Sequence, residues 1–234
     1  MSNKPTKYYS VQAIPETKSA DVYIFGDITS WRWEENDVSA FSLVNEIKAL
    51  DVDTINVHVD SYGGEVSEGW AIYNSLMHNK ARIVTYADGF VASAALYPFL
   101  AGDERHASAI SAFYLHEVMS GSYGYADDLR KAADDIDAMT EIGINSFVER
   151  AGMDAKKVRE LMEAETWLAP SEALEYGIAT DIISTAAGEG IKQSAKREII
   201  SRMLMKREKP AEKKTDRPIT NNAVRMLGDL IQKI

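Results

Sequence analysis

Apolar side chains recur along this chain at two periods, and the switches between them divide it into elements. Ala20 to Ile28 (A-D-V-Y-I-F-G-D-I) alternates as a half-buried strand does, whereas Val38, Phe41, Val44, Ile47 and Leu50 fall at helical spacing. A strand over Thr54 to Val59 follows, then a glycine turn, then a helix carrying Val66, Trp70, Leu76 and Met77. The pattern continues with a strand at Arg82 to Tyr86, a helix from about Ala92, a strand at Ala112 to Leu115, a long helix from Ala126 to about Arg150 and a short one from Ala155 to Met162. Residues 1–20 are polar, contain Pro5 and Pro15 and show no period, which predicts a loose arm. The βαβα order predicts an α/β fold, a largely parallel sheet with packed helices, in which ligands bind at the carboxyl ends of strands. Chemistry is therefore to be sought just after each strand.

Composition narrows the picture. With 45% apolar and 26% charged residues the chain is ordinary globular material, which excludes collagen, coiled-coil and disordered classes. Its longest apolar runs, Ala94 to Ala101 and around Ile183, fall short of the roughly 20 residues that cross a bilayer. No apolar stretch follows Met1-Ser2-Asn3-Lys4-Pro5, so a secretory signal is not expected and a cytoplasmic location is. The absence of cysteine removes disulfides, thiolate zinc and cysteine nucleophiles. His58, His78, His106 and His116 lack metal-ligand spacing, so neither metal nor cofactor is expected. The net charge of −10 hides an asymmetry: from Lys192 onward twelve basic residues face five acidic ones, which leaves fourteen basic and thirty-one acidic before it. An acidic body argues against nucleic acid as the main substrate, and against it as a partner beyond weak contact by the basic tail. That tail reads as a solvated helix and linker, or as a contact for an acidic surface.

Three strand ends carry candidate chemistry. After Thr54 to Val59 comes Asp60-Ser61-Tyr62-Gly63-Gly64-Glu65, where two glycines open conformations closed to other residues and expose backbone N–H groups; a tight connection alone would look the same. After Arg82 to Tyr86 comes Gly89-Phe90-Val91-Ala92-Ser93-Ala94-Ala95, one hydroxyl among small residues at a helix start, which suits a nucleophile or a simple cap. The nucleophile-elbow pattern G-x-S-x-G is absent. After Ala112 to Leu115 comes His116, alone among the four histidines in lying directly at the end of an apolar strand. An acid to orient an imidazole would come from Glu163 or Glu165, and nothing in the residues themselves chooses between them.

Taken together, D-S-Y-G-G-E-V-S-E-G-W-A-I-Y at Asp60 to Tyr73, G-F-V-A-S-A-A at Gly89 to Ala95, Tyr114-Leu115-His116, and A-P-S-E-A-L-E-Y-G-I-A at Ala169 to Ala179 resemble the Clp protease proteolytic subunit family. The motifs keep that family's order across about residues 20 to 185. The resemblance implies a ClpP/crotonase-like ββα spiral, a homo-oligomeric ring and a serine peptidase acting on protein or peptide. It implies Ser93 as nucleophile, His116 as general base and Glu165 as acid, with an oxyanion hole from the N–H groups of Gly64 and Ala94. Gly63 and the segment Met119, Ser120, Gly121, Ser122 and Tyr123 would bind extended substrate. The domains would be an arm at 1–20, a peptidase at 21–187 and a basic extension at 188–234.

Departures give the resemblance a direction. Tyr62 stands where proline is usual, Ala94 where methionine is, Glu117-Val118 where Gln-Pro often follows the histidine, and glutamate where the family has aspartate. Glu165-Thr166-Trp167, the polar lead-in and the basic extension resemble Clp-like head-maturation proteases of phages and prophages, which implies scaffold or capsid proteins as partners, within the host cytoplasm or a procapsid. The sequence G-x-x-x-x-G-K-[ST] does not occur, so an unfolding ATPase would be a separate protein. The alternatives are a housekeeping Clp subunit, a crotonase-like acyl-CoA enzyme and a catalytically silent assembly ring.

Overall fold

Ile55, Val57 and Val59 alternate with polar neighbours and are all fully buried, so one face of their strand is core. The computed structural model describes residues 9–30 and 38–183. In chain order these form β1 (Tyr9–Ile14), β2 (Ser19–Phe25), β3 (Ile28–Thr29), β4 (Val38–Ser39), α1 (Ala40–Lys48), β5 (Thr54–Ser61), α2 (Val66–Met77) and β6 (Arg82–Ala92). A 3₁₀ turn at Ser93–Ala95 leads to α3 (Leu96–Leu100), β7 (Glu104–Ser108), β8 (Ala112–Leu115), α4 (Ala126–Ala151), α5 (Ala155–Glu163), β9 (Thr166–Leu168), α6 (Pro170–Glu175) and β10 (Asp181–Ile183). The main sheet runs β1-β2-β5-β6-β7-β10, parallel throughout except for β1 against β2. The α/β architecture is as expected, a mostly parallel sheet with packed helices.

The long β6 serves two neighbours. Val84 to Ala87 pair with β7, while Phe90 to Ala92 pair with β8, whose other edge takes β9 antiparallel. The sequence predicts that this strand spans Arg82 to Tyr86. It continues because Asp60 Oδ1 accepts the Phe90 N–H at 2.9 Å, and a Cβ at Gly89 would lie 2.3 Å from that same oxygen. Strand is thereby carried up to the residue before Ser93.

Two further expectations shift. The loose arm is, from Tyr9, an edge strand pairing Tyr9 to Ile14 with β2. In α1 the buried face is Ala40, Leu43 and Ile47, while Phe41 is 75% exposed. The row Val38, Phe41, Val44, Ile47, Leu50 advances three residues at a time on a helix of 3.6 per turn, so it winds around the cylinder instead of following one face. Leu43 and Ile47 join Ile72 and Leu76 of α2 and Phe99 and Leu100 of α3 in the core cluster over the sheet. Among the described residues no helix is long and apolar enough to cross a membrane. Residues 1–8 of the expected arm and residues 184–234, which include the expected boundary at 187 and the whole basic extension, lie outside the described residues.

Candidate active site

β6 and β8 run side by side with Ala92 opposite Tyr114; Ser93 directly follows the end of β6 at Ala92 and His116 the end of β8 at Leu115. Ser93 has φ +55, a left-handed value rare for a side chain with a Cβ, so the chain turns sharply from strand into helix at this residue. Its Oγ lies 2.7 Å from His116 Nε2. His116 Nδ1 lies 2.5 Å from the backbone oxygen of Glu117. A carbonyl only accepts, so Nδ1 carries the proton and neutral Nε2 is left to accept from the Ser93 hydroxyl. Both side chains are half-buried.

The glycine turn lies against this pair. A Cβ on Gly63 would fall 2.6 Å from the Ala92 oxygen, 2.7 Å from Ser93 Cβ and 2.8 Å from Ala94 N. Gly63 and Gly64 have φ +96 and +141, so both the close approach and the backbone conformation require glycine. β3 clips the turn in place: Ile28 N–H donates to Gly63 O at 2.7 Å and Glu65 N–H to Ile28 O at 2.8 Å, a bridge that leaves the groups of Gly64 out. Glu65 fastens the clip, accepting from Thr29 Oγ1, Ser30 N and Ser30 Oγ at 3.0 to 3.2 Å. Burial pushes the Glu65 carboxyl upward, but these donors from Ser30 and Thr29 outweigh it and hold the group below its usual value. The N–H of Ala94 lies in the opening turn after β6, where helical N–H groups lack intrahelical acceptors. The residue packed against Ser93 and Ala94 is thus Gly63, with Gly64 next to it in the turn and against Ile28.

Glu165 is where the expectation and the structure part. Its side chain is exposed, its φ is +48, and it lies one residue beyond the last β8–β9 pair, Leu115 with Thr166. Among the described residues the hydrogen bonds of His116 run to Ser93 and Glu117, and neither a hydrogen bond nor an ion pair joins it to Glu165. Glu165 is an exposed residue in a left-handed turn, and the group that meets His116 Nδ1 is the Glu117 carbonyl.

Met119, Ser120, Gly121, Ser122 and Tyr123 are all exposed, without regular structure, and Met119 and Tyr123 project fully into solvent. Met119, Ser120, Gly121 and Ser122, but not Tyr123, border an open groove of about 390 Å³ between Val66 at the start of α2 and Ala132, Ile136 and Met139 of α4. The sequence did not single out the rings beside the histidine. Tyr62 stacks on Phe90, Phe90 meets Trp167 edge-on, Trp167 stacks on Tyr114 at 4.5 Å, and Tyr114 lies 5.4 Å from the His116 ring. Period-2 alternation placing Tyr114 and His116 on one face was the available signal. The remaining histidines have other settings: His58 and His106 are stacked with Tyr23 and Tyr86 in a row across β2, β5, β6 and β7, and His78 ends α2.

The Clp protease family profile matches residues 28–186, which spans the glycine turn, Ser93, His116 and Glu165. The chain belongs to the Clp protease family. It is 30% identical over 173 residues to the ATP-dependent Clp protease proteolytic subunit 2 of Borreliella burgdorferi, covering 72% of this chain and 84% of that one. It is 29% identical to subunit 3 of Rhizobium meliloti, covering 73% and 86%. Among solved structures a mutant of ClpP1 from Listeria monocytogenes superimposes with a TM-score of 0.62 at 23% identity, over 73% of this chain and 94% of that one, which establishes the Clp-like fold.

Proposed function

We propose that the chain is the serine endopeptidase subunit of a Clp-type protease. The observation that carries this reading is the 2.7 Å contact between Ser93 Oγ and His116 Nε2 at the ends of adjacent strands, with Gly63 pressed against both Ser93 and Ala94. Ser93 Oγ attacks a peptide carbonyl while His116 takes its proton through Nε2 and returns it to the leaving amine; water then hydrolyses the acyl-enzyme by the same route. The tetrahedral oxyanion is received by the N–H groups of Gly64 and Ala94, each such donor being worth about 3 to 4 kcal/mol in the transition state.

An extended peptide laid along Met119 to Tyr123 would be held by main-chain hydrogen bonds, which tolerate many sequences. A hydrolase so permissive needs confinement, and a ring of copies supplies it. The head-maturation assignment, with scaffold and coat proteins as substrates, rests on Glu165-Thr166-Trp167 and the polar ends. The Borreliella and Rhizobium relatives are by name subunits of ATP-dependent proteases. That similarity favours a peptidase served by a separate ATPase.

The test is covalent labelling. A fluorophosphonate should modify wild-type protein at a single serine and leave Ser93→Ala unlabelled, and casein cleavage should vanish in the same variant. Turnover of an acyl-CoA thioester by unlabelled wild type would sink the peptidase reading.

A further inference from the structure

Thr140 is a polar residue in the interior, 4% exposed, on the inner side of α4. Its Oγ1 accepts the Val118 N–H at 3.1 Å. That N–H belongs to the same peptide unit as the Glu117 carbonyl that holds His116 Nδ1 at 2.5 Å. No peptide bond among the described residues is cis, so the N–H and C=O of this plane point in opposite directions. Fixing one end of the unit on α4 therefore aims the other at the imidazole. We infer that Thr140 is a positioning residue for His116, acting through the Glu117–Val118 peptide in the place that a carboxylate side chain would otherwise fill.

The chemistry of the link is specific. A hydrogen bond accepted from the N–H polarises the amide and makes its oxygen a better acceptor. The oxygen then favours the tautomer with the proton on Nδ1, which leaves the Nε2 lone pair facing Ser93 Oγ at 2.7 Å. It also favours the imidazolium that forms once the Ser93 proton is taken, since both ring nitrogens are then donors. Val118 matters for its amide hydrogen: a proline here, as the family resemblance would suggest, has none to give. Thr140 lies twenty-odd residues from the histidine and touches it only through this peptide plane.

The inference rests on the peptidase reading for its catalytic consequence but not for its structural one, and the experiment separates the two. Thr140→Val keeps the shape and loses the acceptor; Thr140→Ser keeps the acceptor. Thr140→Val should lower kcat for peptide cleavage about tenfold or more, with KM nearly unchanged, and release the His116 tautomer. Thr140→Ser should restore both. In a Val118→Pro background, Thr140→Val should add nothing. Independently of activity, ¹⁵N spectra of the histidines, with the His116 signal identified by its loss in His116→Gln, should show Nδ1 protonated in wild type and a tautomer mixture in Thr140→Val. An unchanged tautomer and kcat in Thr140→Val overturn the inference, as does an equal loss in the valine and serine variants, which would mean packing alone. If wild type resists the fluorophosphonate while the tautomer still follows Thr140, the peptidase reading fails and the positioning stands.

Discussion

At Ser93 a single backbone angle decides what the side chain can do. A left-handed φ on a residue with a Cβ costs about 1 to 3 kcal/mol, and it persists because β6 holds one side of the residue and buried α3 the other. The angle turns Oγ out of the new helix and toward His116. His116 drew notice in the sequence because it directly follows an apolar strand, and Ser93 because it is one hydroxyl among small residues after a strand read as ending at Tyr86; the continuation of β6 to Ala92 was not legible. Nor was Thr140, since a threonine inside a long helix carries no local sign that its hydroxyl receives a distant amide. Glu165 was the reverse case: motif register pointed to it, yet it is exposed and shares no hydrogen bond or ion pair with His116 among the described residues. In a Ser-His-Asp triad, replacing the acid by its amide costs about 10⁴ in kcat. Glu165→Gln should here lose less than about tenfold in kcat/KM for a peptide substrate, because the Glu117 carbonyl already fixes the tautomer. A loss of a thousandfold would restore Glu165 to the triad.

The elements that escaped sequence reading share a cause. β9 and β10 have three residues each, too few for a period to show, and β3 with β4 fewer still. β7 is longer, but Glu104-Arg105-His106-Ala107-Ser108 looks like surface because it turns an arginine inward. Arg105 is 6% exposed, and its guanidinium donates to the carbonyls of Gly102, Arg150, Gly177 and Ile178 at 2.8 to 2.9 Å. Burial, with Arg150 beside it, holds its pKa below the usual arginine value without removing the charge. Carbonyls at the ends of α3, α4 and α6 thus share one planar cation, which local propensity cannot express. Arg105→Met should leave several buried carbonyls unpaired and cost about 3 kcal/mol or more. For a domain of this size that lowers the melting temperature by about 6 to 12 °C, read by circular dichroism. Arg105→Lys should recover little, since a single ammonium cannot span a fork of four acceptors. A change below about 2 °C in Arg105→Met would mean that water replaces the guanidinium at no cost.

For the molecule as a whole the open question is how copies meet, and α4 frames it. Of the large apolar residues along this helix, Phe147 is fully buried and Ile136 half-buried against the groove, whereas Leu129, Met139 and Ile142 are exposed at 44, 39 and 56%. Around them stand Asp127, Asp128, Asp134, Asp135, Asp137, Glu141 and Glu149 against Arg130, Lys131 and Arg150. Apolar contact through this face would bring like charges together, so association should gain from screening. The Debye length falls from about 8 Å at 0.15 M ionic strength to about 3 Å at 1 M. At fixed protein concentration, light scattering should therefore show the native mass rising with sodium chloride. Ile142→Glu, which removes apolar area and adds an acid, should shift half-assembly to at least about tenfold higher concentration, a change of about 1.4 kcal/mol per contact. Because Ile142 does not line the groove, labelling of Ser93 in the dissociated variant reports whether a lone copy holds its site. An unaltered mass for Ile142→Glu across the salt series would place the contact elsewhere, with Phe41 and Ile110, 75 and 78% exposed, the next to substitute.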